Sequence, residues 1–476
     1  MSALLFVAPL ASAGKPQLPL PTTAERGPAP SASSSTPLEW HALEDQAVQR
    51  LSAYLRIDTA NPPGNELPAA QFLQRILESE GISSTLYPSA PGRANLVARL
   101  RGNGSKRPLL LLNHLDVVPA DATAWKVPPF SGTVKDGVIW GRGAIDMKSI
   151  GIMQLTALIA LKRSGVALQR DVIFMAVADE EAGGELGAAF MLKAHAELFS
   201  NLEYVLNEGS RGVERDGRPL YWEISPGEKA PLWLQLVARG TAGHASRPFP
   251  AAATHRLARA LGRLASWEPP VRVLPEIQEF FATIAPLQPE PRRTWFSDIR
   301  AALQKPEVRE DLSHTPDLAA LVRDTVAITL LKGSAKMNVL PSEASAGLDC
   351  RLLPGTDPDQ FLKTLREVIA DDGLTIVEEE RNRATSSPSD SEAMQVIRRV
   401  LAKHTPGVPV VSPITRGASD SRFFRERGIS AYGVSPYMMD DSLYAGMHGV
   451  DERISVENLQ RGCRIIFEVV EGIGGL

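Results

Sequence analysis

Two short apolar runs limit what this chain can fold into. Pro108–Leu112 and Asp171–Ala178 contain no polar residue after their first positions. A strand without polar alternation has to be covered on both faces. Covering both faces calls for helices between the strands, and Ile150–Leu161 and Gly187–Phe199 supply them. Further strands are predicted at Asn95–Leu100 and Tyr204–Leu206, and an apolar-periodic stretch runs from Leu43 to Ile57. The class implied is α/β, with a central, mostly parallel sheet.

The pattern changes after about residue 229. Pro231–Ala238 alternates as a half-exposed strand does. A helix over Ala252–Trp267, strands over Val326–Lys332 and Ala344–Leu352, a helix over Pro358–Ala370 and a strand over Leu374–Glu380 follow. This β-α-β-β-α-β-like order predicts an inserted, ferredoxin-like α+β domain at 230–385. Within it, 268–325 is Pro-rich and irregular, with short helices. The first domain then comprises 38–229 and 386–476, and a chain of 476 residues has room for both. Residues 1–13 are a short apolar run closing on Ala11-Ser12-Ala13. They read as the signal peptide of a secreted or periplasmic protein, although the usual basic start is missing. Residues 14–37, rich in Pro, Ser and Ala, read as a disordered linker.

Hydrophobic content of 43% and charged content of 22% are ordinary for a globular protein that buries its own core. The net charge of -4, with no basic stripe, argues against nucleic acid as a partner. No apolar run reaches the roughly 20 residues a membrane span needs. Cys350 and Cys463 fall in different predicted domains, so neither a disulfide framework nor a CxxC metal motif is expected.

Polar residues follow the predicted strands in order. Asn113-His114-Leu115-Asp116 stands where Leu109–Leu112 ends, and the carboxyl ends of strands are where sites form in open α/β sheets. His114 and Asp116, two apart, share one face of an extended segment. Asp116 can therefore fix the His114 tautomer, as carboxylates do for metal-bound histidines; a surface His–Asp pair is the plainer reading. Gly141-Arg142-Gly143 leads to Asp146 just before a helix. The glycines match no phosphate-binding fingerprint, but they let the chain turn tightly and aim Asp146 inward; a helix cap is the plainer reading. Asp179-Glu180-Glu181 follows a buried strand, and neighbouring glutamates on extended chain diverge. One can bind a metal while the other faces substrate and water; a solvated acidic loop is the ordinary alternative. Asn207-Glu208-Gly209 and Met447-His448-Gly449-Val450-Asp451-Glu452 are weak signals alone. As a set, two histidines and three carboxylates suit zinc, which takes such ligands and keeps a position open for catalysis, and paired metals can stabilise attacking and leaving oxygens together.

From about residue 40 to 470 these motifs together resemble the aminoacylase and carboxypeptidase G family of dinuclear zinc hydrolases, which includes succinyl-diaminopimelate desuccinylase. Trp125–Gly132, Met337–Pro341 and Ser419–Phe424 look like the carboxypeptidase S branch, where a secreted N-fatty-acyl-amino-acid hydrolase belongs. The resemblance implies two zinc ions per subunit, for which cobalt or manganese can stand in. His114 and Glu208 would hold one, Glu181 and His448 the other, and Asp146 would bridge them. Asp116 would orient His114, and Glu180 would be the general base. In the inserted domain, which would serve as lid and dimerisation surface, His244 would polarise the scissile carbonyl, often across a homodimer. Asn338 and Arg351 would bind polar or carboxylate groups of the substrate. Gly417 would approach its backbone, although the family often has a second glycine where Ala418 stands. Two zinc ions less three ligand carboxylates leave one net positive charge, so a substrate carboxylate would need Arg351 as well.

The expected activity is hydrolysis of an amide bond next to a free carboxylate, in a small peptide or an N-acyl amino acid. Two alternatives stand: a dipeptidase or aminopeptidase that recognises a free amine, and a metal-binding homologue that no longer catalyses.

Overall fold

The protein is described by a computed structural model that covers residues 38–475. The signal peptide and linker expected over 1–37 lie outside the described residues.

The apolar runs form the strands Leu109–His114 and Val172–Val177, which pair in parallel. Their side chains alternate between two cores. Leu109, Leu111, Phe174 and Ala176 join a cluster with the helices Lys148–Ser164 and Val456–Gly474. Leu110, Leu112, Ile173 and Met175 join another, beneath the helix Ala188–Ala194. Each buried leucine contributes about 1.5–3 kcal/mol, which is why these positions carry no polar residue. Trp40–Leu55 adds Leu43, Ala47, Leu51 and Tyr54 to the first cluster, at helical spacing.

Across the sheet the order is Ser84–Ala90, Arg93–Leu100, Val172–Val177, Leu109–His114, Tyr204–Arg215, Arg218–Glu223 and Val410–Val411, with Ser430–Met439 also pairing Tyr204–Arg215. The middle is parallel, the strands beside it pair antiparallel, and Val410–Val411 at one edge is again parallel to Arg218–Glu223. Two differences from the sequence reading matter. The strand expected at Tyr204–Leu206 continues to Arg215, so Glu208 lies inside a strand and not after it. Its polar residues conceal it, and it is held from the side by Ser430–Met439. At the crossing a Cβ on Gly209 would lie 2.7 Å from the Gly433 Cα, so the two backbones meet where neither has a side chain. The half-buried strand Ser84–Ala90 and the helix Leu67–Ser79 before it were not anticipated; the strand carries Pro88, tolerated at a sheet edge.

The second unit is an antiparallel sheet ordered Thr325–Lys332, Glu343–Leu352, Ala230–Arg239, Leu374–Arg381. The helices Ala253–Ala265 and Pro358–Ile369 cover one face. With two helices connecting its strands in this order, the arrangement is ferredoxin-like. The Pro-rich stretch contains five short helices, from Pro275–Ile284 to Pro316–Ala319. Their shared core includes Leu353 of the second unit and Val411 and Ile414 of the first. No helix among the described residues is long and apolar enough to cross a membrane.

Candidate active site

Five side chains gather beyond the carboxyl ends of the parallel strands. His114 is the last residue of its strand, Glu181 follows Val172–Val177, and Glu208 projects from Tyr204–Arg215. Asp146 comes from the turn before Lys148–Ser164, and His448 from the segment after Asp441–Tyr444. His114 Nε2 lies 3.0 Å from Asp146 Oδ1 and 3.5 Å from Glu208 Oε1. His448 Nε2 lies 3.1 Å from Asp146 Oδ2 and 3.2 Å from Glu181 Oε2. Asp146 thus offers one oxygen to each histidine, and each histidine has its own glutamate. Glu180 lies beside the first group: His114, Glu180 and Glu208 each present a ligand atom within 4.8 Å of the others, as do His114, Asp146 and Glu181.

So many carboxylates in so little space perturb one another. Burial, reinforced by the Asp146 charge, pushes Glu208 up to about 8. Burial also raises Glu181, and raises Glu180 well above the ordinary carboxylate range. Hydrogen bonds from His114 and His448 overcome burial at Asp146 and hold it far below that range. Contacts with Asp146 and Glu181 carry His448 up to about 10. Glu181 Oε1 is buried with no hydrogen-bond partner. Excess negative charge, two imidazoles and an orphaned carboxylate oxygen are the donor set that a pair of divalent cations such as zinc would satisfy.

Asp116 does more than was expected of it. The His114 Nδ1 is 3.0 Å from the Asp116 backbone oxygen and 3.6 Å from its carboxylate. The backbone therefore fixes the ring, and the carboxylate is free to accept the Glu180 and Glu181 backbone N–H groups, each at 3.1 Å, and Asn61 Nδ2 at 2.8 Å. Asp116 ties one metal-side loop to the other.

Glu452 has a role that the sequence did not reveal. Fully buried, it accepts from Arg142 Nη1 (2.7 Å) and from the backbone N–H groups of Gly143, Ile145 and Asp146 (3.0, 2.7 and 3.1 Å). It is the template on which the Asp146 turn is wound. Glu452→Ala is expected to destabilise the fold by about 3–5 kcal/mol, because it strands the buried Arg142 charge; urea unfolding of the variant measures this.

The remaining candidates lie apart from the cluster. His244 is exposed in the short strand Gly243–His244, which pairs with Val339–Leu340. The Ala245 N–H donates to the Asn338 oxygen, so His244 and Asn338 are neighbours on one projection of the second unit. Among the described residues, neither makes a hydrogen bond or ion pair to the five clustered side chains. Arg351 is engaged by Asp349 through both Nε (2.8 Å) and Nη2 (3.1 Å). A Cβ on Gly417 would meet nothing within 4 Å, so that turn is open. Two residues along, Ser419 donates its Oγ and its N–H to the buried Glu228, which also pairs with Arg425 at 3.2 Å. Glu228 immediately precedes the crossing into the second unit and was missed because its partners are far away in sequence.

Comparison with known proteins shows the family. Residues 110–472 match the family described as peptidase family M20/M25/M40. The N-fatty-acyl-amino acid synthase/hydrolase of Mus musculus is 30% identical over 381 residues, covering 77% of this chain and 74% of that protein. Aminoacylase-1 of Dictyostelium discoideum is 27% identical over 437 residues, covering 90% of this chain and 98% of that one. The crystal structure of an M20 family metallo-carboxypeptidase from Sulfolobus solfataricus superposes with a TM-score of 0.71 at 22% identity, covering 91% of this chain and 100% of that one. The chain belongs to the peptidase family M20/M25/M40 and is a metallo-hydrolase of amide bonds.

Proposed function

We propose that the protein hydrolyses the amide bond of an N-acyl amino acid or of a peptide C-terminus, next to a free carboxylate, with two zinc ions held by His114, Asp146, Glu181, Glu208 and His448. The observation that carries this reading is Asp146, whose two oxygens each reach one histidine at 3.0 and 3.1 Å. When bound, the zinc pair supplies Lewis acidity and brings the pKa of a bound water towards about 7.

The protein's own groups handle the proton. Glu180 accepts it from the attacking water and delivers it to the leaving nitrogen, so that water and amide become carboxylate and amine. Burial raises its proton affinity, which suits a base that must also act as an acid near neutral pH. Asp116 holds the Glu180 backbone and the His114 segment in one frame. His244, from a second copy in a homodimer, polarises the carbonyl; Asn338, Arg351 and Gly417 bind the rest of the substrate. The protein is exported by residues 1–13.

The relatives support an acyl amino acid over a free-amine substrate, since one is named for N-fatty-acyl amino acids and another as an aminoacylase. A panel of N-acyl amino acids, their C-terminal amides and unblocked dipeptides tests this, with zinc content measured on the same sample. Blocking the carboxylate is expected to lower kcat/KM by about tenfold to a hundredfold, the worth of one charge-assisted contact. Faster turnover of unblocked dipeptides would move the assignment to a dipeptidase or aminopeptidase.

A further inference from the structure

The antiparallel register of Arg93–Leu100 with Val172–Val177 sets Leu96 opposite Ala176. The start of the first strand therefore lies beside the loop that follows the second, the loop that carries Glu180. Two side chains on one face of that start grip the loop. Asn95 accepts from the Ala178 N–H at 3.0 Å and donates to the Leu186 oxygen at 3.1 Å, holding both ends. Arg93 Nη1 lies 2.9 Å from Asp179 Oδ1. Asp179 also accepts from Asn61 Nδ2 at 3.2 Å and from the Leu186 N–H at 3.0 Å.

Asp179 has an unusual backbone. Its φ of +74° is in the left-handed region, which costs a residue with a Cβ about 1–2 kcal/mol. Asp179 sets the direction in which Glu180 leaves the strand, so whatever holds it there also aims Glu180. Arg93 is held in turn. Its Nε donates to Glu66 Oε2 at 2.8 Å, a second nitrogen pairs with Oε1, and Glu66 is wholly buried. Gly64 lies flat against the guanidinium: a Cβ there would be 2.4 Å from Arg93 Cζ. One buried cation thus bridges two buried carboxylates, and one of these is the residue before the proposed base.

We propose that Arg93, clamped by Glu66, is a positioning residue for Glu180 that acts through Asp179. This rests on the reading of Glu180 as the base. It predicts a loss confined to kcat, because neither a metal ligand nor a substrate contact is touched.

Arg93→Lys keeps a charge but loses the fork that spans both carboxylates. It is expected to lower kcat about tenfold to a hundredfold, with KM within threefold and both metals retained. Arg93→Ala is expected to lose more and to recover part of its kcat in millimolar guanidinium, well below denaturing concentrations; Asp179→Asn should show no such recovery. If Arg93→Ala does not fold, Arg93→Lys decides alone. An Arg93→Lys enzyme with unaltered kcat, or one whose loss follows its metal content, overturns the proposal, as does a folded Arg93→Ala that guanidinium leaves unchanged. Glu180→Gln separates this from the function reading. If that variant keeps its turnover, Glu180 is not the base; if it loses turnover while Arg93→Lys does not, only the role of Arg93 falls.

Discussion

Glu180→Gln is expected to lower kcat about a thousandfold while both metals stay bound. General acid–base catalysis is worth roughly a hundredfold to ten thousandfold, and here one carboxylate serves both the water and the leaving nitrogen. The substitution is nearly isosteric, and the backbone N–H of residue 180 that Asp116 accepts is retained. Glutamine cannot take the proton, so KM should move little. Metal analysis beside single-turnover rates checks the claim. Turnover within tenfold of the native enzyme, with both metals present, would remove Glu180 from the mechanism. Loss of a metal would show that its closeness to His114 and Glu208 reflects coordination.

The second large effect concerns pH and metal uptake. Without a cation, Glu208 titrates at about 8 and His448 at about 10. Both carry a proton at pH 7, and both must lose it to bind a divalent metal. Metal uptake at pH 6 to 7 therefore releases about two protons from these groups, and apparent affinity rises as pH rises. Two displaced protons make that rise about a hundredfold per pH unit between pH 6 and 7, since each contributes tenfold, and it flattens as pH nears the Glu208 value of about 8. Between 8 and 10 the Glu208 contribution vanishes and the dependence becomes shallower. Calorimetric titration of chelator-treated enzyme, in buffers of different ionisation heat, counts the protons directly. An affinity flat from pH 6 to 8 would mean that the ligand set is already deprotonated.

Local patterns made much of this legible in the sequence. The apolar runs at Leu109 and Val172 required a doubly covered sheet, and the polar residues directly after them could point only to its edge. His114 and Glu181 were readable for that reason, and Asp146 from the glycine turn that leads into a helix. Glu208 lies in the cluster, but it was singled out for an incomplete reason, because a polar strand buried by its neighbours carries no apolar signal. Arg93, Glu66, Glu228 and Glu452 were invisible as site residues. Each is a charged residue in an ordinary setting until the fold brings in a partner between 27 and 310 positions away. Nothing at short range distinguishes a buried, fully bonded glutamate from a solvated one. Arg351 shows the converse: it could be named from the resemblance, yet Asp349 on its own strand already engages two of its nitrogens.

The pairing of Ser430–Met439 with Tyr204–Arg215 has a consequence for how the enzyme comes into being. A chain leaving the ribosome completes His114, Asp146, Glu181 and Glu208 long before it reaches His448 or Glu452. Until Ser430–Met439 emerges, Tyr204–Arg215 has one edge without its mate. An unsealed edge invites pairing with other chains, and contacts this distant in sequence form slowly. The antiparallel sheet of the inserted unit and its two covering helices have a core of their own, but its short helices wait for Val411 and Ile414. The five-residue cluster is complete only once His448, which follows Ser430–Met439, has emerged. Whatever shields nascent chains from aggregation has to act on the half-built sheet.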